Sequence, residues 1–291
     1  MDMTDDRSVV RLALPKGHME DEVIRLMADA GVRVATSGRS YRPTLSLPGF
    51  SVKMLRPQNI VEMLHLGSRD LGFAGADWAA ELEANVVELL DTGLNPVRLV
   101  AAAPVEILVD GRLPARKLIV ASEYERITRT WIRDKGLAAT FVLSYGATEV
   151  FPPEDADCIV DNTATGSTLA VNRLEIVDEL MTSSSRLYAN PAALDDPRRR
   201  ETIERFTMLL NSVLEARRRV MLELNVPADR LEEVIQFLPC MRRPTIAPLH
   251  GESGFAVKAA VPRAELPTLI PRLKAHGGSD VVVTAVDQLI P

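Results

Sequence analysis

The stretch that most limits what this chain can fold into is Asp155 to Leu169, DADCIVDNTATGSTL. Cys158-Ile159-Val160 reads as a short apolar strand that ends in a carboxylate, Asp161, and the turn Thr165-Gly166-Ser167-Thr168 then opens a helix. A strand passing directly into a helix belongs to an α/β layer. The turn also carries chemistry. Small residues at a helix start offer backbone N–H groups and hydroxyls that converge on one point, which suits a phosphate, and Gly166 lets the backbone come close to it. A strand-end carboxylate can accept hydrogen bonds from two ribose hydroxyls, so the two features together suit a phosphorylated ribose. Each hydrogen bond to a charged group contributes roughly 1.5–3 kcal/mol, against ~0.3–1 kcal/mol for a helix dipole, so the convergent donors decide binding. The plainer alternative is a βα turn in which Thr165 or Ser167 caps the next helix; the spacing from Asp161 favours the ligand.

The 291 residues are enough for two or three domains, each with its own core. A hydrophobic fraction of 46% with 25% charged residues is that of a globular chain. A formal charge of −6 argues against nucleic acid as a partner, because affinity for its backbone needs clustered Lys and Arg. The triplets Arg198 to Arg200 and Arg217 to Arg219 read as solvated helix ends or a linker. Cys158 and Cys240 lie far apart and give no disulfide framework. The N-terminal segment is acidic and lacks the apolar core of a secretory signal, and Leu99 to Val109 is too short and too interrupted to span a bilayer, so no membrane is expected and the cytoplasm is the natural compartment.

Along the chain, Val9 to Leu14 reads as a strand followed by Pro15-Lys16-Gly17 and an amphipathic helix on Val23, Leu26, Met27 and Ala30, closed by Gly31. Residues 41–59 suit a loop-and-strand excursion, Ile60 to Leu66 a helix, and Leu71 to Gly75 a buried strand with Asp77 capping the next segment. Val86 to Leu90 and Val97 to Ala103 read as two further strands, and the alternation predicts an α/β lobe with a mostly parallel sheet. A second α/β unit is expected over 104–180, with strands at Leu118 to Ala121, Phe141 to Leu143 and Cys158 to Val160 and a helix at Thr128 to Lys135; the helix Glu201 to Leu214 returns to the first lobe. From Arg219 the pattern becomes βαββαβ: strand to Val226, helix Asp229 to Phe237, strands Thr245 to Leu249 and Gly254 to Val261 around His250-Gly251-Glu252-Ser253, helix Glu265 to Ala275, strand Asp280 to Val286. That is the ferredoxin-like order. The expected domains are therefore 1–103 with 181–216, 104–180, and 217–291.

Leu12-Ala13-Leu14-Pro15-Lys16-Gly17, then Asp70 to Trp78, then the Asp161 to Leu169 loop follow one another in an order that resembles the long form of ATP phosphoribosyltransferase, the first enzyme of histidine biosynthesis. Glu88 to Asp91, Ser183 to Leu187 and Pro244 to Leu249 fall in the same order, so the resemblance covers nearly the whole chain. It implies a two-lobed, periplasmic-binding-protein-like catalytic unit with a C-terminal ferredoxin-like domain that binds histidine, in a homo-oligomer, dimer or hexamer. It implies ATP and 5-phosphoribosyl-1-diphosphate as substrates, joined through adenine N1 and C1 with release of pyrophosphate, and histidine as an inhibitor.

On this resemblance Lys16 and Asp161 are the catalytic candidates. Gly17, His18, Arg56, Asp70, Gly72, Gly75, Asp77, Glu149, Thr163, Thr165, Gly166, Ser167 and Thr168 are candidates for substrate binding, and Asn225, Met241, Thr245 and Gly278 for histidine. Two departures stand out. His18 stands where the family usually has arginine, and a mostly neutral imidazole cannot fork onto phosphate, so binding there is expected to be weaker and more pH-dependent. Asn225 takes a position expected to be acidic in some relatives. Leu71 and Phe73 read as core, and Glu149 has surface exposure as its simpler reading.

The four histidines show no spacing for zinc. Mg2+ is expected through substrate phosphates and needs no protein motif. Two other functions fit the same residues: a two-lobed binding or sensing protein without catalysis, and a phosphoribosyltransferase with another base acceptor. The tail can also be purely oligomerising.

Overall fold

The computed structural model describes residues 8–35, 41–251 and 254–290. The acidic N-terminal segment before Ser8, and Glu252 and Ser253 of the expected C-terminal turn, lie outside the described residues. Contacts divide the chain into two units, Met1–Arg25 with Val32–Glu204, and Leu26–Gly31 with Arg205–Pro291. No helix among the described residues is long and apolar enough to cross a membrane.

The first unit is built on an eight-stranded sheet. Its strands are β1 (Val10–Pro15), β4 (Phe50–Leu55), β5 (Leu71–Gly75), β6 (Val87–Pro104), β7 (Leu118–Ser122), β8 (Ala139–Leu143), β9 (Cys158–Thr163) and β10 (Leu174–Ala189). A two-stranded ribbon, β2 (Val34–Ala35) with β3 (Thr44–Leu45), stands apart. The helices of this part of the chain are α1 (Glu20–Asp29), α2 (Pro57–His65), α3 (Ala76–Glu81), α4 (Glu125–Asp134), α5 (Ser167–Val171), α6 (Pro191–Asp195) and the long α7 (Pro197–Arg218), of which α1 and α7 run on into the second unit.

The sheet order is β4-β1-β5-β10-β6-β9-β7-β8. β1 is parallel to β4 and β5, and β7 is parallel to β8 and β9. Between these two parallel sets run β6 and β10, antiparallel to each other and to their outer neighbours β9 and β5. The expected mostly parallel sheet is thus corrected to two parallel sets joined by a long antiparallel pair. The two strands read at Val86 to Leu90 and Val97 to Ala103 are one strand. Gly93 and Asn95 take positive φ of 65° and 47°, and the register slips opposite Ser183 and Ser185, so the strand bulges past Pro96 and continues. β10 was not anticipated because its polar run Thr182 to Ser185 masks any alternation. Both faces of the Leu99 to Ala103 end of β6 are covered: Leu99, Ala101 and Ala103 pack with Val120, Tyr124 and Val160 on one side, Val100 and Ala102 with Ala121, Ile159 and Leu169 on the other. That two-sided burial is why this end of the strand reads as a continuous apolar run.

The second unit carries β11 (Arg219–Val226), α8 (Leu231–Phe237), β12 (Thr245–Pro248), β13 (Phe255–Pro262), α9 (Leu266–Ala275) and β14 (Ser279–Ala285), in an antiparallel sheet of order β12-β13-β11-β14. This is the expected ferredoxin-like βαββαβ arrangement. Strict alternation sends Val220, Leu222, Leu224 and Val226 into a core with Val234, Leu269 and Leu273 of the two helices.

Candidate functional site

Three strands of the first unit end near one another and deliver the sequence-predicted residues. β1 stops at Pro15, and Lys16-Gly17-His18 turns away with Gly17 at a φ of +98°. β5 stops at Gly75 and passes into α3, and β9 carries Asp161 and Thr163 into the Thr165 to Thr168 turn, whose Gly166 is also left-handed. Carboxyl ends of strands are where open α/β sheets hold ligands.

A cavity of about 350 Å3 is lined by His18, Val97, Glu149, Asp161, Asn162, Thr163, Thr165, Ser167 and Thr168. It therefore gathers seven of the residues singled out in the sequence. A neighbouring cavity of about 270 Å3 is lined by Lys16, His18, Gly75 and Asp77 together with Trp78, Asn95, Glu123, Asn162 and Ser183 to Ser185. His18, Val97 and Asn162 belong to both, so the two cavities are halves of one groove. Lys16 also faces a third depression with Gly17, Tyr41 and Arg56, where its ammonium lies 4.4 Å from the centre of the Tyr41 ring.

The phosphate-type turn is preorganised by its own hydroxyls. The Gly166 N–H donates to Thr163 Oγ1 at 2.9 Å, and Thr165 Oγ1 donates to Ser167 Oγ at 3.0 Å. Beside it, Asp161 accepts the N–H of Asn162 at 2.8 Å. Burial raises its carboxyl to about 6, with repulsion from Glu149 and Glu123 adding to the rise and the Asn162 N–H opposing it. Glu123 is itself raised by burial, with Arg56 pulling the other way.

Asp77 does not serve as the helix cap expected of it. The N-cap of α3 is Gly75, and the Asp77 carboxylate instead accepts hydrogen bonds from Tyr124 Oη at 2.6 Å and Ser183 Oγ at 2.8 Å. A Cβ on Gly75 would stand 2.0 Å from Asp77 Oδ1, so this glycine, which also lines the cavity, makes room for the carboxylate. Gly72 has a similar explanation: a Cβ there would lie 2.6 Å from Ile60 Cγ2, under α2. Asp70 sits at the other end of β5, 1% exposed, accepting from Arg11 Nη2 at 2.6 Å and Arg199 Nη1 at 3.2 Å. The structure brings neither Asp70 nor Gly72 into the groove. Their place is the core and a buried ion pair.

Trp78, Tyr124, Asn162, Glu123 and Ser183 to Ser185 went unnoticed as site residues. Asn162, one residue from Asp161, had a local signal. Ser183 had only its place in the Ser183 to Leu187 stretch, and Tyr124 had none, because only the sheet order brings β7, β9 and β10 together.

In the second unit the four histidine candidates are not gathered. Asn225 lines a cavity of about 280 Å3 with Leu249, Gly277, Ser279 and Asp280, and donates to Asp280 Oδ2 at 2.9 Å. Gly278 lies between two lining residues, but a Cβ there would meet Leu273 O at 2.8 Å, which marks tight packing. Thr245 lies on the edge strand opposite Lys258, and the Met241 N–H donates to Ala260 O at 3.2 Å, both away from that cavity.

Comparison with known proteins places these features in context. A family model described as ATP phosphoribosyltransferase matches residues 56–212, and one described as HisG, C-terminal domain, matches residues 216–288. The chain is 36% identical over 287 residues to the ATP phosphoribosyltransferase of Pelotomaculum thermopropionicum, covering 97% of this chain and 99% of that one. It is 35% identical over 293 residues to the enzyme of the same name from Pelodictyon phaeoclathratiforme, covering 99% and 100%. Among solved structures, the ATP phosphoribosyl transferase (HisG:HisZ) complex from Thermotoga maritima superposes with a TM-score of 0.63 at 28% identity, covering 71% of this chain and 99% of that chain.

Proposed function

The chain belongs to the ATP phosphoribosyltransferase family, and from that premise we propose how its residues divide the work. The enzyme is a pentosyltransferase that joins adenine N1 of ATP to C1 of 5-phosphoribosyl-1-diphosphate and releases pyrophosphate, the first step of histidine biosynthesis. The observation that carries the residue-level reading is the continuity of the groove: the Asp161 to Thr168 half opens into the Lys16, Asp77 and Trp78 half through His18, Val97 and Asn162.

The 5'-phosphate of the sugar substrate lies in the Thr163 to Thr168 turn, held by hydroxyls and first-turn N–H groups that have no intrahelical acceptor. Asp161 accepts the ribose hydroxyls. ATP takes the other half of the groove, so that N1 approaches C1 from the face opposite the departing diphosphate. No protein nucleophile is needed. Alignment of two anionic substrates removes most of the entropic barrier to their encounter, and Lys16, with His18 beside it in the groove, meets the charge that develops on the leaving group.

Mg2+ fits this site as a passenger of the diphosphate. Among the described residues no group of three His, Cys, Asp or Glu is arranged to hold a metal, whereas Glu149 and Asp161 line the sugar-phosphate cavity and repel each other. Those two carboxylates would hold it from the sugar-phosphate half of the groove. When bound, the cation neutralises charge on the leaving pyrophosphate.

We further propose a homo-oligomer in the cytoplasm that histidine inhibits, with the Asn225 cavity of the second unit as the place for the inhibitor. Asn225 carries no charge of its own, but Asp280, 2.9 Å away, supplies a carboxylate there. The deciding assay incubates the protein with ATP, 5-phosphoribosyl-1-diphosphate and Mg2+, with pyrophosphatase added, and follows the adduct by its ultraviolet absorbance, with and without histidine. Asp161→Ala and Thr165→Ala are expected to lower kcat/KM for the sugar diphosphate about a hundredfold, the equivalent of one or two lost charged hydrogen bonds. Unchanged kinetics in both variants would sink the residue assignment. Asp280→Asn is expected to relieve histidine inhibition without changing kcat.

A further inference from the structure

An unbroken line of hydrogen bonds crosses the groove beneath its two cavities. Ser183 Oγ donates to Asp77 Oδ1 at 2.8 Å, Tyr124 Oη donates to Asp77 Oδ2 at 2.6 Å, and Asn162 Nδ2 donates to Tyr124 Oη at 2.9 Å. The backbone N–H of the same Asn162 donates to Asp161 Oδ1 at 2.8 Å. Four stretches far apart in sequence thus meet through one phenol. Tyr124 is fully buried and its ring stacks on Trp78, with centroids 4.6 Å apart at 28°.

Tyr124 lines neither cavity, so it does not touch a substrate held there. Its two partners do line them: Asp77 and Trp78 belong to one half of the groove, and Asn162 to both. The donors point in one sense, from Asn162 through Tyr124 to the Asp77 carboxylate, an arrangement in which each bond polarises the next. Burial and the Asp77 carboxylate both hold the phenol proton in place by raising the hydroxyl far above its ordinary range.

We infer that Tyr124 is a positioning residue that couples the two substrate sites. When a sugar phosphate settles against Asp161 and the adjacent turn, it fixes Asn162. Asn162 through Tyr124 fixes Asp77 and Trp78, and ATP then meets an already ordered wall. By reciprocity ATP strengthens sugar-phosphate binding by the same factor. The proposal rests on the groove being the substrate site.

The test uses the full chain and ribose 5-phosphate, which carries the 5'-phosphate and hydroxyls but no diphosphate to displace, so nothing turns over. ATP is titrated with and without saturating ribose 5-phosphate, following Trp fluorescence in a Trp131→Phe background that leaves Trp78 as the reporter. The expected result is that ribose 5-phosphate lowers the Kd for ATP about fivefold or more. Tyr124→Phe brings that factor close to one while the Kd for ATP alone stays within about threefold. Asn162→Ala cuts the same line from its other end and is expected to bring the coupling factor close to one as well, whatever its effect on either Kd alone, because Asn162 lines both cavities; this keeps the test open if the buried phenol proves necessary for folding. Wild-type coupling that persists in both variants overturns the proposal, and so does a wild-type factor of one. If Asp161→Ala binds ribose 5-phosphate as tightly as the wild type, the groove assignment falls, and the coupling with it.

Discussion

Replacing Asp161 by asparagine should make the folded protein more stable at pH 8 and remove most of its activity. Burial, with Glu149 and Glu123 close by, raises this carboxyl from an ordinary 3.8 to about 6. At 1.36 kcal/mol per tenfold in a protonation equilibrium, holding it ionised costs about 3 kcal/mol at most, and partial access to water brings the expected gain to about 1–2 kcal/mol. The sign follows from proton uptake. Between pH 3.8 and about 6 the folded state binds more protons than the unfolded chain, so the wild type loses stability as pH rises through this window. Above it the cost is fully present; below it the cost is gone. An amide carries no charge at any of these pH values and can still accept the Asn162 N–H. Urea unfolding of both proteins at about pH 8 and about pH 4.5 should therefore show the variant ahead at the higher pH and its lead cut to about a third at the lower. A variant that is less stable at pH 8, or equally displaced at both, would refute the view that this carboxylate is held ionised against its surroundings for the sake of the substrate.

Glu149→Gln removes one source of that repulsion, so the acid limb of kcat/KM for the sugar diphosphate should move to lower pH by a few tenths, read from a pH–rate profile. Gly75→Ala puts a methyl 2.0 Å from Asp77 Oδ1; a stability loss of about 1–3 kcal/mol is expected, with KM for ATP raised more than KM for the sugar substrate. Arg11→Ala takes the main partner from the buried Asp70 and should cost about 2–3 kcal/mol by denaturant unfolding, with both KM values within twofold of wild type, because that ion pair lies outside the groove.

The Asp161 to Thr168 turn, Lys16, His18 and Glu149 are legible in the sequence, because each lies in a short stretch whose residue types declare a strand end, a tight turn or a set of donors; the fold lines one groove with them, while Gly17 faces the depression beside it. Asp70 and Gly72 show the limit of such reading. Both sit in the same nine-residue motif as Asp77, yet a strand has two ends and two faces, and which of them looks into a groove depends on neighbours that the motif does not contain. Asp70 meets Arg11 and Arg199, Gly72 meets Ile60, and neither contact is written in the motif.

The ferredoxin-like tail was legible for the opposite reason. Its alternation on β11 and its short connections make the pattern almost self-sufficient, and the sheet follows. What only the tertiary structure decided is the middle of the first unit's sheet: that β6 is one bulged strand, that β10 lies beside it between two parallel sets, and that Ser183, Asp77, Tyr124 and Asn162 consequently share one line of hydrogen bonds. Local pattern reports which face of an element is buried, because burial repeats with the period of the element. Sheet order between distant strands leaves no such periodic trace, and so the coupling between the two halves of the groove becomes visible only when the chain is folded.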